Sequence, residues 1–501
     1  VQTCALPIFR PFLVPSWRPA GDAGARRGAR CTQGIGLVLI NLKLSEIAGA
    51  VAGELIGDDV EISGSVETDS RQVKPGSLFV AKPGVVTDGH NFVESALKLG
   101  AVAALVERTV DSRIPQIVVA DSVLALGMLA KFVIGKLHEA QDLRVIAITG
   151  SNGKTSTKNM LAGMLSRFGN TVAPIESYNN EVGAPISMLK ATSETKFLVA
   201  ELGAGGPGSI NYLAEMCSPD IGVVLKVGLA HVGEFGGIES TYEIKSELVK
   251  ALSPKSNLIL NADDSLVADM SSRTSISPNW FGTSPDAGVR AENISVTIRG
   301  TEFDLIIDGQ KIRRVALKIL GEHQVMNALA ALSVVHLLEL DLTKALGVLE
   351  ELDIAERWRM QPLAGPRGSL IINDAYNASP DSMKAALQTL ATLGRQGHRT
   401  IAVLGEMAEL GDQAAIQHDE VGRLVVRLNI DQLFVVGQKA KLIHLGAMQE
   451  GSWDGESKFV ESIDEAIDQV RGLLGSGDIV LVKSSKSADL RFLGDALAEV
   501  K

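Results

Sequence analysis

Long apolar runs are missing from this chain of 501 residues. No uninterrupted apolar stretch approaches the roughly 18 residues of a helical membrane span, so none is expected. Cysteine is scarce. Cys4, Cys31 and Cys217 stand at unrelated spacings, which suggests neither a disulfide framework nor a metal cluster and fits a reducing cytoplasm. Basic charge is in deficit: a net charge of -11 gives no general reason to expect nucleic acid, whose non-specific binding comes from basic surface. Anionic small substrates would then need local basic pockets. No Gly-x-Gly-x-x-Gly follows a strand-like run, so no nicotinamide cofactor is assigned, and neither internal repeats nor long low-complexity segments occur. What remains is ordinary. Hydrophobic content of 46% with 21% charged residues describes a soluble protein, and at roughly 100–200 residues per domain the length points to three domains.

The chain is organised around Val145-Ile146-Ala147-Ile148-Thr149-Gly150-Ser151-Asn152-Gly153-Lys154-Thr155-Ser156. An apolar β-branched run breaks at two glycines and continues as a helix over residues 154–168. Strand, Gly-rich turn and helix N-terminus form an anion cradle, because backbone N–H groups point inward and the helix dipole favours a phosphate. A nucleoside triphosphate is the expected cargo, with Lys154 reaching its β- and γ-phosphates and the Thr155 hydroxyl holding Mg²⁺. The glycines are more closely spaced than in the general P-loop pattern, and Gly-rich strand-to-helix turns also occur without ligands.

Residues 1–41 differ from the rest: Arg10, Arg18, Arg26, Arg27 and Arg30 face a single acid, Asp22. This arm reads as disordered or as an upstream extension of the reading frame. Residues 42–121 read as a small α/β unit, with a helix over 44–51, a turn and strand over 74–81, a helix ending at 99 and a strand over 101–106. Ser70 and Arg71 lie beside a turn where a nucleotide's polar groups could be met, although Asp-Ser-Arg is commonly just a capped turn. Residues 122–353 open with an amphipathic helix over 122–138 and contain strands over 145–149, 197–201, 221–227 and 257–260 separated by helices, which describes a doubly wound sheet. Helices over 321–338 and 342–352 close that segment. Residues 354–501 resume the alternation, with strands over 370–373, 400–404, 433–436 and 479–482, as a Rossmann-like domain. The fold class is therefore α/β in three domains.

Glu201 and His231 fall just past strand ends of the central sheet, where ligands of such sheets gather. A carboxylate and an imidazole there could ligate Mg²⁺, though imidazole is unusual for so hard a cation and a core or loop histidine is the plainer alternative. Lys245, on a helix, would by default be a solvated charge.

From residue 42 onward the chain resembles the Mur ligases, ATP-dependent amide-forming enzymes of peptidoglycan precursor synthesis. The short P-loop Thr149–Thr155 is the family's form, and Asn179-Asn180-Glu181-Val182-Gly183-Ala184-Pro185 resembles its substrate-side motif, with Asn180 implied to meet substrate. The resemblance implies that Gly150, Ser151, Asn152, Gly153, Lys154, Thr155 and Ser156 bind ATP. It also implies two Mg²⁺ ions at Thr155, Glu201 and His231, with Lys245 carbamylated by CO₂ and orienting the second. Lys154, Glu201, His231 and Lys245 then form the catalytic group, while His323 and Asn327 meet the nucleotide, Asn327 near adenine.

Asp374-Ala375-Tyr376-Asn377-Ala378-Ser379-Pro380-Asp381-Ser382-Met383, and the run 404–411 with His418, resemble those family members that add D-alanyl-D-alanine to a UDP-muramoyl tripeptide through an acyl phosphate. Arg359 and Asp374 are implied ATP contacts, and Asn377 and Lys486 substrate contacts. Asp69-Ser70-Arg71 and Asp88-Gly89-His90 match the family's UDP-sugar domain, so residues 42–121 are implied to hold the UDP-sugar, and domain closure is expected. The implied partners are the UDP-muramoyl tripeptide and D-alanyl-D-alanine, with no nucleic acid and no membrane, acting on a monomer. Other Mur-type ligases, folylpolyglutamate synthetase-like ligases and P-loop switch ATPases are the competing classes. Ser379 and Lys226 stand where the family usually has Asn, and Lys483-Ser484-Ser485-Lys486 replaces Lys-Gly-Ser-Arg. Lys486 keeps the charge but not the bidentate fork of arginine.

Overall fold

The computed structural model describes residues 41–84, 87–175, 177–230, 232–353, 356–451 and 456–498. The arm before residue 41 and His231 lie outside the described residues. The chain divides into two compact units, residues 1–129 and 130–501.

In the first unit a five-stranded sheet runs in the order Glu54–Ile56, Gln116–Val118, Ala103–Val106, Leu78–Val80, Val66–Glu67, with only the first pairing antiparallel. Ala103–Val106 is buried at every position, as a central parallel strand covered on both faces must be. Val73, Phe79, Val93 and Ala96 pack on one face. The division between units falls inside the helix Ser122–Ala140.

Two sheets build the second unit. The larger has nine strands, in the order Gln310–Leu317, Gly300–Ile307, Val289–Thr297, Pro278–Gly282, Asn257–Asn261, Ile221–Val224, Arg144–Thr149, Thr195–Glu201, Asn170–Val172. Arg144–Thr149 sits between Ile221–Val224 and Thr195–Glu201, parallel to both. Its carboxyl end therefore shares one edge of the sheet with Glu201 and with the loop after Val224. Ile146 and Ile148 pack in one cluster with Met160, Leu161 and Met164 of the P-loop helix Lys154–Leu165. The helix Glu322–Leu337 joins the same cluster. Ala328, Ala330 and Ala331 are fully buried along it, and small side chains let two helices approach closely. The sheet continues past the strands expected from sequence: two further parallel strands follow Asn257–Asn261, and then an antiparallel hairpin.

The smaller sheet has six strands in the order Gln361–Ala364, Leu370–Asn373, Ile479–Lys483, Thr400–Leu404, Gln432–Val436, Ser457–Val460, antiparallel only at the first pairing. Helices cover both faces, over one core containing Ile372, Leu404 and Leu481 and another containing Ile371, Val403 and Val480. That alternation, adjacent residues going to opposite faces, is why these strands read as unbroken apolar runs.

Candidate active site

Gly153 caps the P-loop helix at φ +89°, a left-handed conformation that favours glycine. A Cβ there would overlap Asn327 Oδ1, so glycine is also required by the close approach of the helix Glu322–Leu337. Asn327 is held in turn: its Nδ2 donates to Gln324 Oε1 at 3.0 Å, and Gln324 Nε2 donates to His323 Nε2 at 3.2 Å. The last bond requires His323 unprotonated on Nε2. Burial agrees, pushing its pKa down to about 4.

A cavity of about 340 Å³ opens over this loop, between the two sheets' helices. Lys154 crosses it, Nζ donating to the Gly150 carbonyl at 2.6 Å. Glu201 Oε1 accepts from the Thr155 hydroxyl at 3.2 Å and from Asn179 Nδ2 at 2.7 Å. Its Oε2 is buried and has no hydrogen-bond partner. Arg359 reaches in from the C-terminal domain, where its guanidinium stacks 4.5 Å from the Tyr376 ring centroid and NH2 lies 3.4 Å from Thr155 Oγ1 and 3.5 Å from Ser177 Oγ. Its Nε is another buried atom without a partner, as is Asn152 Nδ2. Unsatisfied donors facing one unsatisfied carboxylate oxygen fit a polyanion bound together with a cation.

Lys245, on the helix Ile238–Ala251, is buried with 2% of its surface exposed. It is not a solvated surface charge. Burial first, and the Lys154 ammonium second, drive its pKa well below the usual lysine range, against the opposing pull of Glu247. Burial likewise lowers Lys154, with Glu201 opposing and Arg359 adding to the shift. Lys483 and Asp374 form a buried pair at 2.6 Å, and Asp374 Oδ1 accepts from the Met360 N–H at 3.0 Å, fixing the chain beside Arg359. With that pair and the Lys226–Asp381 pair each internally neutral, Lys154 and Arg359 outnumber Glu201 even when Lys245 is uncharged, and the cavity is left electropositive.

Of the residues singled out from sequence, Ser151, Asn152, Gly153, Lys154, Thr155, Ser156, Glu201, Lys245, His323, Asn327, Arg359, Asp374 and Asn377 all line this cavity. Gly150 does not line it, but its carbonyl accepts from Lys154 Nζ at 2.6 Å. Asn180 does not line it: its Oδ1 accepts from Gly183 N at 2.8 Å, at the start of the helix Gly183–Met188, while its neighbour Asn179 turns inward to Glu201. Lys486 is exposed, 5.3 Å from the Tyr376 centroid, on a wall of the site rather than in it. In the first unit, Ser70 starts a 3₁₀ turn capped by Asp69, and Arg71 pairs with Asp69 at 2.6 Å, its side chain 83% exposed. His90 is a satisfied core histidine, bonded to Asp88 at 2.6 Å and accepting from Glu107 N at 2.9 Å. Ser177 was not singled out, and Asn179 and Lys483 were named only within motifs, without a role of their own. Alternation along the Asn179-Asn180 pair puts one side chain inward, but only the backbone phase tells which.

Three family models match in order: the Mur ligase family catalytic domain over residues 64–132, the Mur ligase middle domain over 148–335 and the Mur ligase glutamate ligase domain over 358–486. The chain belongs to the Mur ligase family. Its three-domain α/β organisation is the family's. Among curated Mur ligases, it is 38% identical to UDP-N-acetylmuramoyl-tripeptide–D-alanyl-D-alanine ligase of Mycobacterium leprae, covering 92% of this chain and 98% of the relative. It is 34% identical to the Escherichia coli enzyme of that name, covering 92% and 99%. Among solved structures, MurF from Acinetobacter baumannii superposes with a TM-score of 0.83 at 32% identity, covering 92% of this chain and 99% of that one. MurF from Thermotoga maritima in complex with ADP superposes with a TM-score of 0.76 at 26% identity, over 87% and 97%. No described helix is long and apolar enough to cross a membrane.

Proposed function

We propose that this Mur ligase joins D-alanyl-D-alanine to a UDP-N-acetylmuramoyl tripeptide at the expense of ATP, the last cytoplasmic step in making the UDP-linked pentapeptide. The observation that carries this is the single cavity in which the P-loop Lys154 and Thr155 meet Glu201, Lys245 and, from the C-terminal domain, Arg359. The relatives' names supply the substrates, and the geometry supplies the means.

A carboxylate does not condense with an amine at neutral pH because its oxygen is a poor leaving group. Phosphorylation removes that obstacle. The tripeptide's terminal carboxylate oxygen attacks the γ-phosphorus, the bond to ADP breaks, and an acyl phosphate results. The dipeptide's amine then attacks the carbonyl carbon, loses a proton, and inorganic phosphate leaves. Positioning and charge neutralisation dominate such transfers. Lys154, rotating off the Gly150 carbonyl, and Arg359, through its free Nε, screen the repulsion between the two anions. Thr155 and Glu201 offer oxygen donors suited to Mg²⁺, which takes one or two protein ligands and completes its shell with phosphate and water. When bound it neutralises charge on the phosphates. His231 would be a further ligand, with a second ion beside Lys245.

Carbamylation of Lys245 has a physical basis, since only a neutral amine adds CO₂ and burial beside Lys154 favours the neutral form. Nζ forms the new bond to carbon as one C=O bond of CO₂ opens onto oxygen, and one proton is released, so that a neutral amine becomes a carbamate anion. Lys245→Ala is expected to lose activity that short carboxylic acids partly restore; unchanged activity in Lys245→Ala removes the carbamate. The whole proposal is tested by phosphate release with UDP-muramoyl tripeptide and ATP, with and without D-alanyl-D-alanine. Turnover indifferent to the dipeptide would instead indicate a P-loop ATPase of another kind.

A further inference from the structure

Segment 225–229, between the P-loop and the C-terminal domain, is pegged on every side. The Lys226 carbonyl accepts from Ser151 N of the P-loop at 2.7 Å, and Gly228 N donates to Ser151 Oγ at 2.9 Å. Behind it, Asn261 Nδ2 donates to the Leu225 carbonyl at 2.8 Å and Val227 N to Asp264 Oδ2 at 3.2 Å. On the opposite side stands the C-terminal helix Pro380–Gly394, with Asp381 in its first turn. Asp381 Oδ2 accepts from Leu229 N at 2.8 Å, and its Oδ1 lies 3.5 Å from Lys226 Nζ. The same helix terminus sends the Ser379 hydroxyl to Asn152 Oδ1 of the P-loop at 3.2 Å.

We propose that Lys226, which stands where the family usually has asparagine, is a positioning residue: its ion pair with Asp381 latches the C-terminal domain onto the segment that braces the P-loop. The Lys226 carbonyl holds the P-loop while its side chain, which lines the same cavity, reaches Asp381. Docking matters because the same domain delivers Arg359 to Thr155. Asparagine could offer Asp381 a hydrogen bond but no charge. This latch rests on the ligase function proposed above.

The pair is 46% and 26% exposed, so its worth is that of a surface pair, and Lys226→Met is expected to lower kcat about two- to five-fold. ADP affinity of the full chain should stay unchanged. Asp381→Asn, which keeps an acceptor for Leu229 N, should match Lys226→Met, and the double variant should be no worse than either, because the two side chains act through one contact. Lys226→Arg should restore at least half of the loss, and 0.5 M KCl should narrow the gap to wild type. Additive losses, or an unaltered kcat in Lys226→Met, would overturn the latch. Equal losses in kcat and ADP affinity would overturn it too, since they would mean that Lys226 grips phosphate directly. Amide exchange over residues 225–230 and 378–383 gives a readout independent of turnover. Exchange should quicken in Lys226→Met and recover in Lys226→Arg; identical exchange in all three proteins would sink the latch. Wild type lacking dipeptide-dependent phosphate release would refute the function and leave the exchange result to decide the latch.

Discussion

Arg359→Lys separates a role in nucleotide binding from a role in holding the fold. The guanidinium's two bonds to Thr155 and Ser177, at 3.4 and 3.5 Å, are too long to contribute much before ligand arrives. What remains in the free protein is stacking on Tyr376, worth about 0.5–1 kcal/mol at a partly exposed site, and lysine keeps part of it. Stability should therefore change by less than about 1 kcal/mol. Binding is another matter. The unpartnered Nε, together with the loosely held NH2, can make two charge-assisted bonds to phosphate in a fork that lysine cannot reproduce, and losing one such bond costs about 1.5–3 kcal/mol. That is about 10- to 150-fold in kcat/KM for ATP. The assay pairs steady-state phosphate release with thermal unfolding in the absence of nucleotide. A large drop in melting temperature with kcat/KM almost untouched would refute the reasoning and make Arg359 a structural tie between domains.

Gly153→Ala must place a methyl against Asn327 Oδ1 at a left-handed φ, so isothermal titration should show ADP binding weakened at least about tenfold while far-UV dichroism stays native. Glu201→Gln keeps an acceptor for Thr155 and Asn179 but removes the anion; the Mg²⁺ concentration needed for half-maximal turnover should rise by about tenfold or more, and an unmoved Mg²⁺ profile would exclude Glu201 as the cation's partner. His323 titrates near 4 in the fold against about 6.5 in the unfolded chain. The unfolded chain takes up the proton first, so stability present above about 6.5 is lost as pH falls toward 4. His323→Gln should flatten that part of the melting-temperature profile, and equal slopes in the two proteins would count against the buried neutral histidine.

Strands covered on both faces were the most legible part of the chain. Residues 145–148 and 479–482 are unbroken apolar runs because helices lie above and below them, and the strands Arg144–Thr149 and Ile479–Lys483 fall within a residue or so of those read from sequence. Gln310–Leu317 was missed for the opposite reason. Its register is set by pairing with Gly300–Ile307, and Gln310, Lys311, Ile312, Arg313 and Arg314 are all exposed, so no apolar period marks it. The site divides along the same line. Lys154, Thr155 and Glu201 belong to a local strand-to-helix pattern and could be read directly. The burial of Lys245 and the crossing of Arg359 depend on which helices pack together, and from local sequence alone Lys245 looks like surface.

The alanines of the helix Glu322–Leu337 carry a practical consequence. Ala328, Ala330 and Ala331 act as a spacing gauge between that helix and its packed neighbours, and Asn327 rides on the same rod. An added methylene at any of them cannot be absorbed by a close-packed interior, so it should be felt as a displacement of the Asn327 carboxamide against Gly153. Variants there could impair nucleotide use without altering any group that touches the nucleotide, and a screen for resistance to ATP-competitive inhibitors would do well to sequence this helix.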